Sequence, residues 1–175
     1  MVLHRMIAVL AGLAVFSTSA AGATEGLVLN WPDEEGWKVA NRQENKQVQM
    51  VEIVRGGETL ENWTQLGTMI WNKGVVLPSI DKAYSVYADK LKASCPDARF
   101  NTALVENDVP FPRMIFSVEC PKTPKDGHPE STVWLIVQGK QSLYVVHRAT
   151  KSAALPENLR KEWVSWLKTA KVVQQ

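Results

Sequence analysis

Val133-Trp134-Leu135-Ile136-Val137-Gln138-Gly139-Lys140-Gln141-Ser142-Leu143-Tyr144-Val145-Val146-His147-Arg148 decides the fold. Val133, Leu135 and Val137 alternate with Trp134 and Ile136. Leu143, Val145 and His147 alternate with Tyr144, Val146 and Arg148. A period of two over β-branched and aromatic residues is a strand signal, and Gln138-Gly139-Lys140-Gln141 supplies the turn between them. The stretch reads as a β-hairpin.

Upstream, Arg99–Glu106 and Arg113–Cys120 read as two further strands joined by a loop with Pro110 and Pro112. A polar loop, Lys122–Glu130, leads into the hairpin. Downstream, Pro156 to Val172 reads as an amphipathic helix. Leu159, Trp163, Trp166, Leu167 and Ala170 share one face, while Arg160, Lys161, Lys168 and Lys171 form a solvated basic side. A second helix is expected over Ser79–Ala93, with Ser79 as cap and Ile80, Ala83, Tyr84, Tyr87, Ala88 and Leu91 as its apolar face. Asp81 in its first turn and Lys90 and Lys92 in its last suit the helix dipole.

Nearer the start, Gly26–Asn30 reads as a short strand, and 37–55 as a hairpin turning at Gln43-Glu44-Asn45-Lys46. Arg55-Gly56-Gly57-Glu58 breaks the chain. The segment 59–72 carries both periods: Leu60, Trp63, Leu66 and Ile70 have helical spacing, and β-propensity favours a strand over Trp63–Trp71. Strands in hairpins with helices set apart imply an α+β fold with a largely antiparallel sheet. The two helices bury one face of that sheet or both.

Residues Met1–Ala23 read as a secretory signal peptide: a basic start at Arg5, an apolar run from Met6 to Phe16, and Ala21-Gly22-Ala23 as the cleavage site. The apolar run falls short of the ~20 residues that span a bilayer. Residues 24–175 then form a single domain, periplasmic or secreted. The 20 Lys+Arg and 18 Asp+Glu of the whole chain become 19 and 18 once Arg5 leaves with the leader. That balance gives no support for a nucleic-acid partner. In an oxidising compartment the two cysteines, Cys95 and Cys120, are expected to form a disulfide. Its loop of about 25 residues corresponds to ~3.5 kcal/mol in the chain-entropy model.

No catalytic residue is assigned. The sequence has no G-x-S-x-G, H-E-x-x-H, P-loop or dinucleotide fingerprint, and no cofactor is expected. Cys95, Cys120, His128 and His147 lack the close ligand pairs of zinc motifs. Asp33, Glu34 and Glu35 lack the EF-hand pattern and read as a solvated turn, so no metal site is assigned. Seven tryptophans are the unusual feature of the composition. Trp134, Trp163 and Trp166 are expected in the core. Trp31, Trp37, Trp63 and Trp71 are the candidates for a binding surface, because a half-exposed indole can stack on a sugar or anchor a protein interface.

The leader, the opening hairpin, the segment Gly56-Gly57-Glu58-Thr59-Leu60-Glu61-Asn62-Trp63-Thr64-Gln65-Leu66-Gly67-Thr68-Met69-Ile70-Trp71-Asn72, the helix, the antiparallel strands and the Trp-rich terminal helix together resemble the PsbP-like α/β/α sandwich of small exported proteins. The resemblance implies a non-enzymatic accessory or assembly factor and carries no functional residue with it. The expectation is an exported, non-catalytic accessory or binding protein whose partner is an envelope protein or a glycan. Two alternatives stand beside it: an envelope hydrolase using Asp33, Glu58 or Glu61, and a secreted protein-interaction factor.

Overall fold

The computed structural model describes residues 25–32, 36–123 and 127–174. Residues 1–23, expected to be a leader, and Asp33-Glu34-Glu35, expected to be a solvated turn, lie outside the described residues. In chain order the elements are β1 (Glu25–Val28), β2 (Trp37–Glu44), β3 (Val48–Arg55), β4 (Gln65–Lys73), α1 (Ile80–Ser94), β5 (Arg99–Glu106), β6 (Arg113–Cys120), β7 (Glu130–Gln138), β8 (Ser142–Thr150), α2 (Glu157–Leu167) and β9 (Lys171–Gln174). The fold is α+β.

The hairpin β7–β8 sits inside a seven-stranded antiparallel sheet of order β2-β3-β4-β8-β7-β6-β5. Two meanders build it. The first, β2 to β4, is followed by α1, which crosses to the far edge. The second, β5 to β8, returns so that β8 pairs with β4, Ile70 opposite Val145 and Trp71 opposite Tyr144. Both edge strands carry a bulge, between Val39 and Asn41 in β2 and between Thr102 and Leu104 in β5. Bulges at edges twist them away from pairing with another chain.

The alternation along β7 and β8 sends side chains to two cores, one on each face of the sheet. On one face Ile80 and Ala83 of α1 pack with Phe116, Trp134, Ile136 and Val145. On the other, Trp163 and Leu167 of α2 pack with Ile115, Leu135, Tyr144 and Val146. Each large side chain so buried contributes roughly 1.5–3 kcal/mol of transfer free energy. Helices on both faces explain why the central strands are apolar on both sides.

Helix α1 matches its expectation to within a residue at each end. Ser79 Oγ accepts the Lys82 N–H at 3.1 Å, and Asp81 lies in the first turn. The ambiguous segment resolves into the strand β4, which runs from Gln65 to Lys73 rather than Trp63 to Trp71 and follows a turn at Gly56-Gly57 and an irregular stretch. Two expectations for the terminal helix are corrected. It ends at Leu167 rather than Val172, and 171–174 form β9, antiparallel to β1 with Val172 opposite Leu27. The helix is closed by Thr169, whose hydroxyl donates to the Trp166 carbonyl at 2.7 Å, and by the Ala170 N–H to Leu167. The β-branched pair Val172-Val173 then favours a strand. Arg160 is also not part of a solvated side. It donates to Ser117 Oγ at 2.9 Å and to Glu119 at 2.7 Å, tying α2 to β6.

Candidate functional site

Arg148 continues the inward face of Tyr144 and Val146, so its guanidinium enters the core under α2. It is 1 % exposed. Its Nε and Nη2 donate to Gln65 Oε1 at 3.1 and 2.7 Å. Its guanidinium carbon lies 4.8 Å from the Trp163 ring centre, 5.0 Å from Trp37 and 5.9 Å from Trp166. Trp31 closes the box, 5.1 Å from Trp37 and 4.4 Å from Trp166. Trp31 reaches this place because residue 67 is glycine: a Cβ there would fall 2.3 Å from Trp31 Cη2. Both rings are half-buried and engaged inside the fold: Trp31 packs on Trp37 and Trp166, and Trp37 on Trp31 and Arg148. Trp31 lies directly on the sheet over Gly67, and Trp37 opens β2.

The same sheet face is left open further along, beside the box. Here β1 and the residues after it stand over β3, β4 and β8 and enclose a groove of about 420 Å³. Leu27 and Leu29 form one wall, and Val51, Met69 and Val146 the apolar floor. The volume and lining are those of a small-molecule site. Trp71 lines the groove and stacks on Tyr144, with centroids 6.1 Å apart and planes at 27°. The Trp71 indole N–H is buried with no hydrogen-bond partner among the described residues.

Glu25 closes one end of the groove. Its carboxylate accepts the Lys140 N–H at 2.7 Å, the Gln141 N–H at 3.4 Å and the Tyr144 hydroxyl at 3.2 Å. Gly139 makes room for it in the β7–β8 turn, where a Cβ would stand 2.0 Å from Glu25 Oε1. Burial, reinforced by the neighbouring Glu25 charge, pushes the Tyr144 phenol up to about 12, so it remains a hydroxyl at neutral pH.

Trp63 is elsewhere. It lines a separate polar hollow of about 370 Å³ with Glu61, His128, Glu130 and Lys151, and the Lys151 ammonium lies 4.8 Å from its ring centre. The four tryptophans named from the sequence therefore do not form one surface. Trp31 and Trp37 belong to the Arg148 box, Trp71 to the groove, and Trp63 to the hollow. Glu25, Tyr144 and Arg148 were not singled out from the sequence. The alternation that puts Arg148 on the face of Tyr144 and Val146 is the signal that exposes an inward charge. Glu25 had no such signal, because its place depends on β1 lying against the β7–β8 turn.

Of the carboxylates considered for hydrolysis, Asp33 lies outside the described residues, Glu61 lines this hollow, and Glu58 sits in the turn after Arg55. Burial pushes the Glu58 carboxyl up, but hydrogen bonds from Thr64 and the nearby Arg55 charge outweigh it and hold it below the ordinary value. A hydrogen bond from Thr59 likewise lowers Glu61. A glycosidase acid needs the opposite shift, because it must hold a proton at neutral pH. Among the described residues no three His, Cys, Asp or Glu side chains converge to hold a metal. His147 is packed, its ring 3.9 Å from that of Trp134.

Cys95, just after α1, and Cys120, at the end of β6, place their sulfur atoms at disulfide distance, 2.06 Å. The bridge joins the helix on one face to the sheet. Among the described residues no helix is long and apolar enough to cross a membrane. No protein-family model matches the chain, and no curated protein matches it.

Proposed function

We propose that this chain is an exported, non-catalytic accessory protein of the cell envelope, acting by holding a small ligand with an apolar body in the groove beside Trp71. The observation that carries the reading is the groove itself: an apolar floor of Val51, Met69 and Val146, open to solvent beside the core under α2. Export draws support from the leader and from the cysteine pair, since disulfides persist in oxidising compartments. The PsbP-like plan draws support from the layering of one helix on each side of an antiparallel sheet, and it implies an accessory role by fold analogy. Hydrolysis through Glu58 or Glu61 has less support, because both carboxyls are held ionised and neither offers a proton. A protein-interaction factor also has less support, since among the described residues the exposed large apolar side chains are valines at separate places in the chain, such as Val28, Val39, Val76 and Val105.

The test is native mass spectrometry on the protein recovered from the envelope fraction of cells that export it. A species carrying one small apolar molecule, lost when Val51 is replaced by Phe to fill the groove, is expected. Protein that stays in the cytoplasm with its leader, or a bound mass unaffected by the Val51→Phe change, overturns the reading.

A further inference from the structure

Glu25 places a carboxyl group at the end of an apolar groove. It is 2 % exposed, and none of the ion pairs among the described residues includes it. Its three hydrogen-bond donors are two backbone N–H groups and a phenol, none of which carries a positive charge. Two of those bonds, both to Oε1, are long, which leaves acceptor capacity on that oxygen. A carboxylate that meets only neutral donors among the described residues is suited to a cationic group, and a ligand that brings one gains a charge-assisted contact.

The two rings in the groove add to this. Trp71 and Tyr144 stack beside the carboxylate, and aromatic faces attract organic cations. The Lys73 ammonium already lies 5.2 Å from the Trp71 ring centre. That charge is matched by Glu44 at 2.6 Å, so it does not supply Glu25 with its counter-ion.

We infer that the groove selects an alkylammonium amphiphile, a free small molecule whose cationic head meets Glu25, Tyr144 and Trp71 and whose chain lies along Val51, Met69 and Val146. The inference rests on the groove being a ligand site and names the chemistry of the ligand. A carboxylate head would set a like charge beside buried Glu25. A hydroxyl head would leave that charge unmatched.

The experiment is displacement of the neutral fluorophore N-phenyl-1-naphthylamine from the disulfide-bonded protein. The competitors are decylamine, decanol and decanoate, each below its aggregation threshold, at pH 7. Decylamine is expected to compete about tenfold more tightly than decanol, with decanoate the weakest. Glu25→Gln is expected to bring decylamine level with decanol, while Glu25→Asp keeps the preference. Should Glu25→Gln fail to fold, Trp71→Leu decides: it is expected to weaken decylamine about threefold more than decanol. Equal affinity for the three heads with normal fluorophore binding overturns the ligand class alone. So does a preference unmoved by Glu25→Gln, or an equal loss for both competitors in Trp71→Leu. Absence of fluorophore binding overturns the groove as a site, and the ligand class with it.

Discussion

The Arg148 guanidinium lies 4.8 Å from the centre of the Trp163 ring, a cation and an indole buried together between β8 and α2. Gln65 supplies a shared acceptor from β4, and Trp37 and Trp166 supply further ring faces. One side chain thus links β2, β4, β8 and α2. Arginine suits this place because its planar, weakly hydrated head both stacks and hydrogen-bonds. Replacing Arg148 by Ala is expected to destabilise the protein by about 3 kcal/mol, read as a lower denaturation midpoint in urea, because it leaves a void and an orphaned Gln65. An unchanged midpoint would count against the box as a structural centre.

Gly67 is the position that lets Trp31 lie on the sheet. Gly67→Ala is expected to lift that indole off, costing about 1–3 kcal/mol. The accompanying change is a red shift of tryptophan emission as Trp31 meets water. Emission and midpoint both matching the wild type would contradict the close approach.

His147 sets a pH dependence. Burial holds its imidazole down at about 4, against an ordinary value near 6.5. Between these values the unfolded chain binds a proton that the folded protein refuses. Stability is therefore full above about pH 6.5, falls as pH drops toward 4, and levels below that. The total is roughly 3 kcal/mol. His147→Phe is expected to flatten urea midpoints across that window; the same slope in the variant would assign the effect to other groups.

The cysteine pair makes two expectations at once. Native protein should show no reactive thiol, and reduction should lower stability by ~3.5 kcal/mol. Two thiols titrating in protein taken from its own compartment would rule out the bridge there.

Much of the fold is legible because it rests on local periodicity. The hairpins, α1 and the start of α2 follow from spacing, caps and turn residues. The cysteine pair was named from the sequence as the only two cysteines of the chain, and the structure brings their sulfurs to disulfide distance. Three things are not local. β4 looked ambiguous because Leu60, Trp63, Leu66 and Ile70 keep a helical spacing through a segment rich in strand formers, and its strand state is fixed by β3 and β8 on either side. β9 was hidden in the tail of a helical pattern, since Val172 can face a core from a helix or from a strand, and only β1 decides between them. The groove is the least legible feature. Its walls come from β1, β3, β4 and β8, so no spacing within one segment marks it, and of the four tryptophans named from the sequence only Trp71 lines it.

The claim at the centre of this account is that the groove beside Trp71 is a binding site. Titrating the folded, disulfide-bonded protein with N-phenyl-1-naphthylamine tests it most directly. The expected result is a saturable rise in fluorescence at one molecule per chain, weakened about tenfold or more in a Val51→Phe variant whose circular dichroism matches the wild type. No saturable binding, or binding that Val51→Phe leaves unchanged, would contradict it.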